Sequence, residues 1–202
     1  MEIRKLVLTG GPCSGKTTVL GALAEEFRSL ITLVPEVATI LLSGGFPMPG
    51  KDLPWSESWQ AAFQAAIVPL QRSFEDACQL LAQADGRELL VCDRGILDGA
   101  AYTPGGLPEF CVKYGVDSTE AAKRYEAVIH LESLATADPP KYGKIGNESR
   151  FEPLERAREL EENTRQAWSS HPRHIVIEGR RGIEGKISET IGIVKFLLAE
   201  RR

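Results

Sequence analysis

An α/β fold, with a five-stranded parallel sheet and helices on both faces, is what this 202-residue sequence predicts, and three observations predict it. Short, nearly continuous apolar runs alternate with helical stretches, the pattern of strands buried on both faces. The first run passes directly into the glycine-rich stretch GGPCSGKTT, residues 10–18, which opens a helical pattern. The runs end in Thr9-Gly10, Glu36, Asp93-Arg94, Glu132 and Glu178. In a parallel sheet ligands belong at the carboxyl ends of the strands, so acids gathered there point to chemistry.

The elements follow in order. Residues 3–9, IRKLVLT, form an apolar strand pattern. Residues 10–18 fit G-x-x-x-x-G-K-[ST], with Gly10 opening the motif, Gly15 and Lys16 closing it and Thr17 supplying the hydroxyl. Glycines let successive N–H groups turn inward on phosphate oxygens, Lys16 reaches the β- and γ-phosphates, and Thr17 can ligate Mg²⁺. Gly10, Gly11, Pro12, Cys13, Ser14, Gly15, Lys16, Thr17 and Thr18 are therefore the expected ATP-binding loop, and the fold is that of a P-loop NTPase. Val19, Leu20, Leu23 and Phe27 then recur at helical spacing. Residues 31–36 read as the second strand, followed by a brief helix in VATILLSG and a Gly/Pro-rich loop. A long amphipathic helix spans about residues 56–84, with Trp59, Phe63, Ile67, Leu70, Phe74, Cys78 and Leu81 on one face and Pro69 expected to bend it. Residues 88–93 are the third strand, 126–132 the fourth and 174–179 the fifth. Weak helices at 107–114 and 118–125, the second capped by Ser/Thr with Glu120 behind, lie between the third and fourth. A polar loop from Ser133 feeds a charged helix at about 152–169, and residues 187–200 form the closing helix.

Composition excludes several classes. With 43% hydrophobic and 26% charged residues, one domain over residues 1–202 is expected. The net charge of −4 and the absence of a long basic run argue against nucleic acid as a partner. Cys13, Cys78, Cys92 and Cys111 show no C-x-x-C pairing, which fits a reduced protein without structural zinc. No stretch is long enough to span a bilayer and the N-terminus lacks the shape of a signal peptide, so a cytoplasmic protein without a membrane partner is expected, as monomer or homodimer.

Asp93 follows LLVC, the position of a Walker B carboxylate, so Thr17 and Asp93 are the expected Mg²⁺ ligands; the alternative is a helix-capping Asp. Arg94 supplies a fork-shaped cation suited to phosphate or carboxylate, or else an internal salt bridge. Asp98 either orients Arg94 or caps the following turn. Glu36 ends the second strand, where it can take the proton of an attacking hydroxyl, or is only a turn residue after Pro35. Arg150 and Arg156 flank the start of the charged helix, where a lid at roughly 133–156 would bring arginines over the transferring phosphate, with Lys141 and Lys144 in the same loop; for Arg156 the alternative is a solvated Glu/Arg pair. His130, His171 and His174 lack partners at useful spacing and are expected to pack.

GGPCSGKTT, VPEVA, VCDRGILDGAAY, NESR and AWSSHP together resemble the AAA-type ATPase/kinase domains grouped with the nicotinamide-riboside-kinase end of NadR and with translocation-defect proteins. More distantly the chain is similar to deoxynucleoside kinases. That resemblance implies Glu36 as base, Asp93 as metal ligand, Arg94 as a phosphate or acceptor contact, Arg150 as lid arginine and Gln64 as a specificity residue. Read by themselves, Gln64 and Gln71 are polar residues on a helix flank. LSGG at residues 42–45 mimics a transporter signature but lies far upstream of Asp93, and no N-K-x-D guanine-reading motif occurs. The expected activity is transfer of the ATP γ-phosphoryl to a small-molecule acceptor, with a nucleotide-binding regulatory module as the alternative.

Overall fold

The computed structural model describes residues 3–142 and 153–200. Its centre is an all-parallel five-stranded sheet in the order β2-β3-β1-β4-β5, formed by β1 (Arg4–Thr9), β2 (Ile31–Val34), β3 (Leu89–Asp93), β4 (Ala127–Leu131) and β5 (His174–Ile177). The expected α/β P-loop fold is the fold observed. β1 pairs with β3 on one side and β4 on the other, so the order reverses at β1 and opens a crevice beyond its carboxyl end.

Alternation along the strands builds two cores. Val7, Leu90, Cys92 and Val128 face α3 (Glu57–Ala84), α4 (Gly106–Tyr114), α5 (Ser118–Lys123) and α7 (Leu154–Ala167), where Phe110 and Trp168 are buried. Leu6, Leu8, Val91 and Ile129 face α1 (Lys16–Glu26) and α8 (Gly182–Ala199) through Val19, Leu23, Val194 and Leu197. Two short helices complete the fold, α2 (Val37–Ser43) and α6 (Leu134–Ala137).

The span of α3 is the expected one, capped by Ser56 and running on through Pro69. Some local details differ from the sequence reading. α5 is capped by Asp117, whose carboxylate accepts from Glu120 N, in place of the Ser/Thr expected. The chain after Ser133 is not wholly loop, because it folds into α6 and a 3-10 turn at Pro139–Lys141. Residues 96–102, following β3, form a 3-10 segment whose first turn is closed by Asp98. Among the described residues no helix is long and apolar enough to cross a membrane.

Candidate active site

The glycine loop leaves the carboxyl end of the central strand. Gly10 has φ 140° and Gly15 φ 91°, and Cys13 between them has φ 58°. A Cβ on Gly10 would collide with Leu131 O, so only glycine fits against β4 there. Gly15 caps α1 with no side-chain hydrogen bond, which leaves the first amides of α1 free of the usual side-chain acceptor, as a phosphate cradle requires. Lys16 folds back into the loop, with Nζ donating to Gly10 O at 3.1 Å and Ser14 Oγ at 3.4 Å. Burial, with Arg94 nearby, lowers its pKa to about 8, against the opposing pull of Asp93, Glu36 and Asp98. Thr17 and Thr18 are exposed on the first turn of α1.

Gly11 is anchored differently. Its amide donates to Glu161 Oε2 of α7 at 2.7 Å, and Glu161 Oε1 meets His130 Nε2 of β4 at 2.7 Å. Burial pushes the Glu161 carboxyl up, but the His130 and backbone hydrogen bonds outweigh it, so Glu161 stays ionised and His130 donates from Nε2. His130 therefore does have a partner, contrary to the sequence reading. His171 has one as well, since its Nε2 lies 3.0 Å from Tyr125 O.

Of the strand-end residues, Glu36 and Asp93-Arg94 lie beside this loop, whereas Glu132 accepts from Gly179 N at 2.7 Å and Glu178 pairs with the exposed Arg180. Arg94 Nε donates to Glu36 Oε1 at 2.8 Å, and Arg94 Nη1 donates to Asp98 Oδ1 at 3.2 Å. Burial opposes the charge of Arg94, but Tyr102, Glu36 and Asp98 outweigh it and push its pKa well above the usual value. Its backbone is left-handed, φ 71°, a costly conformation for a side chain with Cβ, and it is over-determined here. Arg94 N donates to Leu8 O at 3.1 Å, and Gln71 Nε2 donates to Arg94 O at 3.3 Å. Asp98 fills both roles that the sequence left open. Besides Arg94 it accepts from Thr9 Oγ1, from Gly95 N at 2.9 Å and from Trp168 Nε1 at 3.0 Å. Glu36 Oε2 accepts from Thr39 Oγ1 at 2.5 Å.

Asp93 ends β3 with Oδ1 buried and without a hydrogen-bond partner among the described residues. Burial raises its pKa, with Lys16 and Arg94 opposing and Glu36 and Asp98 adding to the rise. An orphaned buried carboxylate oxygen is a donor suited to a hard cation. Among the described residues no cluster of three or more His, Cys, Asp or Glu could hold a metal. A Mg²⁺ ion on Asp93 and Thr17 would accordingly take its other ligands from phosphate and water, as that ion commonly does.

Beyond Pro12 and Arg94 opens a cavity of about 860 Å³. Trp59, Phe63 and Tyr102 line it, with Gln64 and Gln71 from the same face of α3. Trp59 stacks on Phe63 at 4.8 Å, Phe46 packs against both, and Trp59 Nε1 donates to Pro47 O at 2.7 Å, so the Gly/Pro-rich loop is pinned to α3. Gln64 is only 3% exposed, and its Oε1 has no hydrogen-bond partner among the described residues. Gln64 and Gln71 are thus buried, not on a helix flank.

The candidate residues divide accordingly. Lys16, Glu36, Asp93 and Arg94 surround the carboxyl ends of β1 and β3, while Arg156 lines the cavity from α7 and pairs with Glu159 at 2.7 Å. Arg150 and Lys144 lie outside the described residues. Lys141 is exposed and pairs with Asp138 at 2.7 Å. Sequence reasoning missed His130, Glu161 and Lys186, all buried against the loop. Their separations from it follow no local spacing rule.

A protein-family model described as AAA domain matches residues 5–186. No curated protein matches the chain.

Proposed function

Because the chain belongs to the AAA-domain family of P-loop NTPases, we propose that it is a Mg·ATP-dependent kinase acting on a small molecule. It transfers the γ-phosphoryl of ATP to a hydroxyl or phosphate of an acceptor, such as a nucleoside or nucleotide. The observation that carries this reading is the cavity of about 860 Å³, which joins Pro12 of the loop to an aromatic wall. Hydrolysis needs only a water at the γ-phosphate, whereas a space of this size and lining suits an organic molecule with a planar ring. Gln64, buried with an unpartnered carbonyl oxygen, is a recognition group for a donor on that ring. The resemblance to nicotinamide-riboside and deoxynucleoside kinases points the same way.

Each residue has a part. The amides of residues 13–18 and the Lys16 ammonium hold the polyphosphate, with Asp93 and Thr17 as the Mg²⁺ ligands. When bound, Mg²⁺ neutralises phosphate charge. Glu36 takes the proton of the attacking hydroxyl, Arg94 orients Glu36 and faces the phosphate, and Arg150 and Arg156 belong to a lid over roughly residues 133–156. The protein works as a single domain in the cytoplasm, as monomer or homodimer, without nucleic-acid or membrane partners. A thermal-shift screen of nucleosides, nucleotides and vitamin-like alcohols, with Mg²⁺ and a non-hydrolysable ATP analogue, tests the reading. One acceptor class should raise the melting temperature beyond the analogue alone, and Gln64→Leu should remove that increment. A complete screen without any increment would favour a nucleotide-binding regulatory module.

A further inference from the structure

Behind the phosphate loop, three consecutive carbonyls are gripped by donors from the N-terminus of α6 and from α8. Pro12 O accepts from Ser133 Oγ, Cys13 O from Leu134 N at 3.3 Å, and Ser14 O from Lys186 Nζ at 2.9 Å. In a trans peptide the C=O of one residue and the N–H of the next point opposite ways, and no cis bond occurs among the described residues. These bonds therefore turn the N–H groups of Cys13, Ser14 and Gly15 to the front.

Lys186 differs from the other two donors because it brings a charge. It is 3% exposed, and its ammonium also donates to Glu132 O at 2.6 Å. Burial lowers its pKa, with Glu161 and Glu132 opposing. Among the described residues its ammonium makes hydrogen bonds to carbonyls only, and a buried cation so placed lacks the close counter-charge that usually offsets its desolvation. The helix carrying it lies close against the loop: a Cβ on Gly15 would lie 2.8 Å from Ile183 Cδ1.

We propose that Lys186 is a second lysine of the phosphate cradle, a positioning residue that turns the Gly15 amide forward and sets a buried positive charge behind the loop. A polyphosphate in front of the loop then balances both lysines, one touching it and one acting through the peptide between Ser14 and Gly15. The inference rests on nucleotide binding at the loop and is independent of whether an acceptor exists.

Calorimetric titration of Mg·ADP into wild type and Lys186→Met tests it, Met keeping the length of the chain without its charge. The expected result is binding at least tenfold weaker in K186M, with loss of the Gly15 amide shift that Mg·ADP induces in the wild-type ¹⁵N spectrum. Affinity within twofold of wild type in a folded K186M overturns the proposal. Should K186M fail to fold, the wild-type side-chain ¹⁵Nζ resonance of Lys186 gives the answer: it moves on adding Mg·ADP, or the proposal fails. If wild type binds no Mg·ADP at all, the cradle itself is misassigned and this inference falls with it.

Discussion

Replacing Asp98 by asparagine keeps the shape of the side chain and removes half of what it does. The two carboxylate oxygens of Asp98 accept from Thr9, Arg94, Gly95 N and Trp168 Nε1. In Asp98→Asn the least costly arrangement keeps the amide oxygen toward Gly95 and Trp168 and turns the NH₂ group toward Thr9 and Arg94. The Thr9 hydroxyl can switch from donor to acceptor, but the Arg94 guanidinium cannot. One charge-assisted bond is lost and two donors face each other in a buried site, a cost of about 2–4 kcal/mol. Arg94 retains Glu36, which keeps the loss below that of a wholly unpaired buried charge. At a slope of about 2 kcal/mol per molar urea, the unfolding midpoint should fall by roughly 1–2 M, followed by circular dichroism. A midpoint lowered by less than about 0.3 M would refute the view of Asp98 as the hub beneath the site.

Lys16→Ala should abolish nucleotide turnover, measured as ADP release, because the β- and γ-phosphates lose the loop's ammonium. Glu36→Gln should cut acceptor-dependent turnover by about 10²–10⁴-fold while sparing ATP affinity, and a full transfer rate in that variant would rule Glu36 out as the base. Lys16 also predicts a pH dependence. Its pKa in the free protein is about 8, and bound phosphate favours the charged form and raises that value. Binding therefore takes up no proton well below pH 8 and takes one up above it, so Mg·ADP affinity, titrated calorimetrically, should hold steady below about pH 7.5 and fall toward tenfold per pH unit above 8. A flat profile through pH 9 would show that Lys16 keeps its charge without phosphate.

What was legible in the sequence is what local pattern encodes. The G-x-x-x-x-G-K-T spacing located the cradle because the turn needs glycine where φ is positive, as at Gly10 and Gly15. Doubly buried strands announce themselves as apolar runs, so β1, β3 and β4 were found within a residue or two. Glu36 and Asp93-Arg94 at strand tips followed from the same pattern, and Glu36 does meet Arg94, joined there by Asp98 from the 3-10 segment after β3. Contacts made by tertiary packing were hidden. Glu161 sits in a helix rich in Glu and Arg that reads as solvated, yet α7 lays it on Gly11, 150 residues earlier, and on His130. Lys186 lies 172 residues from Ser14, and no periodicity links them. That Asp117 and not Ser118 caps α5 was undetermined by the residue pattern, because the two are adjacent and equally good capping types.

Turnover of γ-labelled Mg·ATP against a panel of hydroxyl-bearing acceptors, with the fate of the label followed by mass spectrometry, decides between phosphoryl transfer and hydrolysis. One acceptor class should gain the phosphoryl on its hydroxyl or phosphate, with ADP formed in equal amount and little inorganic phosphate. Label released as inorganic phosphate in step with ADP, whatever acceptor is supplied, would contradict it.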